Sequence, residues 1–287
     1  MVRADCHIHI FMNGSDYRAA RDQYRRGVDE ADVRRKLQGY ADAGITYLRD
    51  GGDPYGAGMF ARQIAPEYGI TYRSPVFAIH REGCYGAIVG RAFTDMKEYA
   101  ALVREVRLSE GDFIKVMFSG ILDFASDGSV SGTPLTRGEI TEMIHIAHEE
   151  GYAVMAHVNG AVPVLAAIEA GLDSIEHGYY MDETCLQALA ESHCVWVPTL
   201  SPVCSMIGAG RFDDALLERI ALDQQRNVLR ALELGALVAS GSDAGAWMVP
   251  HVQAAMDEDR YLHQIPGPPG DLDERLEQAL QEIRTRF

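Results

Sequence analysis

The chain has 287 residues, 47% of them hydrophobic, with 26 basic against 42 acidic side chains and a formal net charge of −16. That supplies apolar material for one large core, while the acidic balance, with no basic cluster to offset it, argues against nucleic acid or an anionic membrane as partner. No apolar run reaches the ~18 residues of a membrane span and no basic-then-apolar leader opens the chain; five scattered cysteines without a Cys-x-x-Cys pair read as reduced thiols of a cytoplasmic protein.

The first element is the short run Asp5-Cys6-His7-Ile8-His9. Side chains of a strand alternate faces, so His7 and His9 share one side and Cys6 and Ile8 take the other. Two neutral imidazoles side by side can hold a divalent metal. Further strand-like runs follow at about 45–50, 72–79, 113–119, 152–158, 172–177, 194–200 and 236–242, the first occupying about 2–9. They are short and nearly continuously apolar, as strands covered on both faces should be. Helical patterns alternate with them. Thr136 and Glu139 form a capping box opening a helix that ends at Gly151, and Thr94 precedes a helix over 95–107. Gly44, Gly69, Gly151, Gly171 and Gly235 stand where a helix would end before the next strand. The Gly267-Pro268-Pro269-Gly270 breaker precedes a closing helix over 271–286. Eight strands with intervening helices predict an α/β fold, a (β/α)8 TIM barrel forming one domain over residues 1–287.

The polar residues of these strands gather at their C-terminal ends. Lys115 interrupts the fourth, His157 ends the fifth, His177 the sixth, and Asp243 follows the eighth. With His7 and His9 they make six metal-competent or titratable side chains at the same end of five strands, where a barrel places its active site. A lysine in a core strand is costly unless paired, neutralised or modified. In the flanking loops, His80, Arg81, Tyr85 and His251 are further candidates for a substrate pocket, with Arg81 placed to hold a carboxylate bidentately. His145 and His148 read as a solvated helix face, and His193 lies at the wrong strand end. Glu176, alternating with His177, is expected to pair at the barrel wall, and Cys6 is excluded as a ligand by the same alternation.

Asp-x-His-x-His at 5–9, Leu-Arg-Asp-Gly-Gly at 48–52, Gly-Asp-Phe-Ile-Lys-Val at 111–116, Ala-His at 156–157, Gly-Leu-Asp-Ser-Ile-Glu-His-Gly at 171–178, Val-Pro-Thr-Leu at 197–200 and Gly-Ser-Asp-Ala-Gly at 241–245 together resemble the amidohydrolase superfamily. The similarity is greatest to its branch of imidazolonepropionase-like proteins and Xaa-Pro dipeptidases. A first strand beginning next to Met1 leaves out the small β-sandwich usual in that branch, and with it leaves surface that a homo-oligomer would cover. The resemblance implies that His7 and His9 bind one metal ion and His157 and His177 a second. It further implies that Lys115, carboxylated by carbon dioxide, bridges the two, and that Asp243 ligates the first and shuttles the proton of a metal-bridging hydroxide. Nitrogen and oxygen donors without thiolate suit zinc. The expected activity is cleavage of a C–N amide bond in a small molecule such as a dipeptide, an N-acyl amino acid or a cyclic amide. The alternatives are a mononuclear deaminase or cyclic-amide hydrolase of the same superfamily, and a metal-binding barrel without catalysis.

Overall fold

The structure is a computed structural model and describes residues 3–126, 128–267 and 270–287. Among the described residues ten strands are present: β1 (Ala4–Ile8), β2 (Tyr47–Asp50), β3 (Thr71–Arg73), β4 (Ala78–Arg81), β5 (Gly90–Phe93), β6 (Ile114–Met117), β7 (Val154–Val158), β8 (Ser174–His177), β9 (Val195–Val197) and β10 (Leu237–Val238). All ladders are parallel, β1-β2-β3 on one side and β10-β9-β8-β7-β6-β4-β5 on the other.

Two junctions complete the eight-stranded ring. The third barrel strand is broken at Ser74–Val76, where Val76 takes a φ of 70°. Asp112 N donates to Ser74 O (2.9 Å) and Asp53 N to Val76 O (3.1 Å), so β3 keeps its place beside β2 and β4 its place beside β6. The eighth strand is shorter than the 236–242 expected from sequence. Beyond β10 it continues as single contacts to β1, with Cys6 N to Ser240 O (3.0 Å), Asp243 N to His7 O (2.7 Å) and His9 N to Ala244 O (2.7 Å). β5, parallel to β4, was not anticipated.

The helices follow their signals. Thr136 and Glu139 cap each other reciprocally at the start of the helix Arg137–Glu149, which buries Ile140, Met143, Ile144 and Ala147 at the i, i+3, i+4, i+7 spacing of an amphipathic face. In the helix Met96–Leu108 the cap is Asp95, while Thr94 binds Glu98 through its N (2.7 Å) and Oγ1 (2.6 Å). The 21-residue helix Asp214–Leu234 ends on Gly235 at φ 87°, a conformation that a side chain would strain. The closing helix runs Leu272–Arg286; Pro268 and Pro269 of the expected breaker, and Val2 of the expected first strand, lie outside the described residues.

Alternation along the strands separates two apolar layers. Ile114, Val116, Val154, Ala156, Ile175 and Trp196 pack outward against the helices. Phe113, Met155, Val195 and Val197 fill a separate cluster inside the ring. The C-terminal Phe287 joins that inner layer, its ring 5.3 Å from Phe113 and 4.6 Å from the Arg49 guanidinium. The inward residues one step further along, Lys115, His157 and Glu176, therefore reach the opposite end of the barrel interior.

Candidate metal centre

Four imidazoles form a chain across that end. Ring centroids are 5.3 Å apart for His9 and His7, 5.0 Å for His7 and His177, and 4.6 Å for His177 and His157. Donor atoms of His7, His9 and Asp243 lie within 4.8 Å of one another. Asp243 Oδ1 is 3.4 Å from His9 Nε2 and 3.6 Å from His7 Nε2.

Two of the histidines, His157 and His177, are hydrogen-bonded at one nitrogen and open at the other, and His7 lies close to a carboxylate. His7 Nδ1 sits 2.7 Å from Glu176 Oε2. His157 Nε2 is 2.9 Å from Gly120 O, and His177 Nδ1 is 2.7 Å from Thr199 Oγ1. A carbonyl can only accept, so neutral His157 carries its hydrogen on Nε2, leaving its other lone pair unengaged. This is the arrangement by which outer partners orient metal-binding imidazoles. Burial, reinforced by nearby cations such as Lys115, holds His9 and His157 down at about 3 and His7 and His177 well below the usual histidine range. All four are neutral at pH 7, the form that binds metal.

Lys115 is fully buried, and its Nζ has no hydrogen-bond partner among the described residues. Burial lowers it to about 8, against the opposing pull of Glu176, so a substantial neutral fraction exists near physiological pH. Burial acts on Asp243 in the other direction, raising its carboxyl to about 7 even though Lys115 favours the carboxylate. A cluster of neutral donors around one unpartnered amine is the wrong design for a self-sufficient core, because buried polar groups are ordinarily satisfied. It suits divalent cations.

His177, Thr199 and Asp243 have positive φ values of 70°, 47° and 59°. Left-handed backbone at a non-glycine residue costs about 1–2 kcal/mol, and here it redirects chains at strand ends. Ile175 packs outward, so Glu176 is the inward residue of β8. His177 reaches the interior only through its left-handed turn. This reverses the expectation for Glu176. Its Oε1 accepts from Arg49 Nη2 (2.7 Å) and Ser174 Oγ (2.5 Å), and its Oε2 lies against His7, directly beneath the metal-competent groups. Arg49 also donates from Nε to Cys6 O (2.8 Å). The Cys6 thiol is buried, pushed up to about 12 by desolvation, and outside the donor cluster.

An open cavity of about 170 Å³ rises from His157, His177 and Asp243, walled by Tyr85, Ile121, Leu122, Phe124, Tyr179, Met206 and Trp247, among others. Of the loop candidates, Tyr85 is in it, its ring 4.7 Å from His157. The other three do not line it. His80 Nδ1 is spent on Arg81 O (2.9 Å), and Arg81 is turned to Glu139 in a 2.7 Å ion pair. His251 ties Tyr40 OH (3.0 Å) and Met12 O (2.9 Å), which joins the loops after the first and last barrel strands. Asn159 bridges loops as well, donating to Gly120 O (3.2 Å) and accepting from Tyr179 N (3.0 Å). Sequence reasoning missed the inward placement of Glu176, the parts played by Arg49 and Thr199, and the aromatic wall apart from Tyr85, although Glu176, Arg49 and Thr199 stand inside the quoted motifs.

A profile of the Amidohydrolase family matches residues 4–280. By sequence, the chain is 29% identical to ochratoxinase of Aspergillus niger over 135 residues, 45% of this chain and 28% of that protein. It is 32% identical to an uncharacterized protein of Mycobacterium bovis over 128 residues, 42% of this chain and 34% of the other. The aligned segments thus span about a third or less of the curated relatives. Among solved structures, a Xaa-Pro dipeptidase with bound methionine in the active site superposes with a TM-score of 0.77 at 21% identity, covering 99% of this chain and 75% of that one. Aspergillus niger ochratoxinase does so with 0.75 at 21%, covering 98% and 71%; these likenesses concern the fold.

Proposed function

Since this chain belongs to the amidohydrolase family, we propose that it hydrolyses a C–N amide bond with two divalent metal ions. The observation that carries the proposal is the unpartnered Lys115 Nζ beneath four neutral imidazoles and Asp243. His7, His9 and Asp243 would hold one ion and His157 and His177 the other. Lys115 would join them as a carbamate, because its partly neutral amine can add carbon dioxide and the cations offset the charge so created. Bound ions, zinc by the chemistry of the donors, supply Lewis acidity and an ionised water at neutral pH. Glu176, Gly120 and Thr199 keep the imidazoles aimed. Asp243 would take the proton of the attacking water and return it to the departing nitrogen. The cavity then receives the remainder of the substrate, a dipeptide, an N-acyl amino acid or a cyclic amide.

The test is elemental analysis of protein purified without chelator and with ¹³C-bicarbonate, joined to amide-hydrolysis assays of wild type and Asp243→Asn. About two ions per chain, a carbamate carbon resonance, and hydrolysis lost in Asp243→Asn are expected. Among the described residues only His7, His9 and Asp243 converge as a group of three, which favours as second reading a mononuclear deaminase or cyclic-amide hydrolase. One ion per chain and no carbamate signal would replace the first reading by the second.

A further inference from the structure

The cavity is oily and uncharged apart from its floor. Its described lining residues include no lysine or arginine, and the chain's net charge of −16 disfavours approach of an anion. One cation packs against a residue of its wall. Arg211, exposed, lies with Cζ 4.4 Å from the ring centroid of Trp247 and 5.2 Å from that of Phe212. Trp247 lines the cavity directly. Phe212 lies 4.7 Å from Phe124, which lines it too. Arg211 belongs to the segment between the helices Ser201–Cys204 and Asp214–Leu234, which follows β9 on the metal-bearing face.

Carboxylates outnumber basic groups in this chain, and Arg81, Arg137 and Arg230 each pair with one. Among the described residues no carboxylate lies within ion-pair distance of Arg211. A guanidinium stacked on aromatic faces keeps its N–H edges free in a fixed plane, the geometry that receives a carboxylate bidentately. Stacking also restrains the side chain before the anion arrives, so less conformational freedom is lost on binding.

We infer that Arg211 is the anion-recognition residue of this cavity, and that the substrate is an amide bearing an apolar body and a carboxylate. The inference rests on the hydrolase reading for the word amide, but the subsite itself is tested by binding. It replaces Arg81 in the role that sequence alone assigned to it.

The experiment compares N-acetyl-L-phenylalanine with its neutral carboxamide in equilibrium titrations of the metal-loaded protein. Trp247 fluorescence reports binding in wild type, the other tryptophan, Trp196, being buried in the barrel wall. Calorimetry serves the variants. The carboxylate is expected to bind at least about tenfold more tightly than the carboxamide, at the scale of one charge-assisted contact. The advantage should shrink with added salt, survive in part in Arg211→Lys, and vanish in Arg211→Ala. Equal affinities in wild type, a preference that persists in Arg211→Ala, or no binding of either probe overturns the assignment. Carboxylate-selective binding by a protein that hydrolyses no amide would refute the hydrolase reading and leave the subsite standing.

Discussion

Two lysines are buried in this barrel, and they are built in opposite ways. Lys36 Nζ donates to Ile10 O (2.7 Å) and Met12 O (2.8 Å) and pairs with Asp32 Oδ2 (2.7 Å), whose carboxylate also accepts from Tyr24 OH. His251 beside it has both ring nitrogens engaged. Lys115 has no such partner, and of the imidazoles around it His157 and His177 are bonded at one nitrogen while neither nitrogen of His7 makes a hydrogen bond. Burial of a charge is common to both places. What separates a structural knot from a chemical centre is whether the donors and acceptors close on one another or remain directed at a third party.

Lysine substitutions test this division with the largest effects. Lys115→Ala should remove bound metal and lower kcat/KM by about a thousandfold or more, the scale of Lewis-acid stabilisation, while the apoprotein's Tm changes little. Lys36→Ala should do the reverse. It leaves two buried carbonyls without a donor and takes from Asp32 one of its two cationic partners, costing about 3 kcal/mol of stability by denaturant titration, with metal stoichiometry retained in the folded fraction. If Lys36→Ala loses metal while Lys115→Ala only loses stability, the two regions have been read backwards.

Glu176→Gln sharpens the boundary, since Glu176 belongs to the inner wall yet touches His7. Metal affinity measured by competition with a chelator should fall about 10–100-fold, the usual effect of losing an outer partner of a ligand histidine. Retained affinity would reduce Glu176 to a partner of Arg49.

The smallest effect is on acid stability. His9 and His157 are held near 3 in the fold, against 6.5 for an ordinary histidine. Between those limits each of these histidines binds more proton in the unfolded chain, so its contribution to the stability of the metal-free protein falls as pH drops below 6.5, by up to about 1.4 kcal/mol per pH unit. His251, also near 3, contributes with the same sign from the other region. The raised carboxyls of Asp243, Asp50 and Glu258 act with the opposite sign, so the test is a difference: between pH 7.5 and 5 the wild type should lose more Tm than His251→Gln, and parallel melting curves would contradict the neutral assignment of His251.

Local pattern was sufficient for much of this molecule. Period-two and period-3.6 hydrophobicity, the Thr136–Glu139 box and the glycines after helices act over a few residues, so strands, helices and their order can be read along the chain. The alternation of His7 with Cys6, and the interruption of an apolar strand by Lys115, are equally local, and they mark the candidate donors without any coordinates. Tertiary structure decided what depends on partners distant in sequence or on departures from regular backbone. The left-handed turn at His177 let Glu176 and His177 both face the interior, against the alternation expected for them, because alternation holds only while φ stays in the extended region. Glu139 claimed Arg81 from 58 residues away, and the stacking on Trp247 left Arg211 free at the cavity wall. Which buried polar groups find partners is settled by packing in three dimensions, and no spacing in the sequence encodes it.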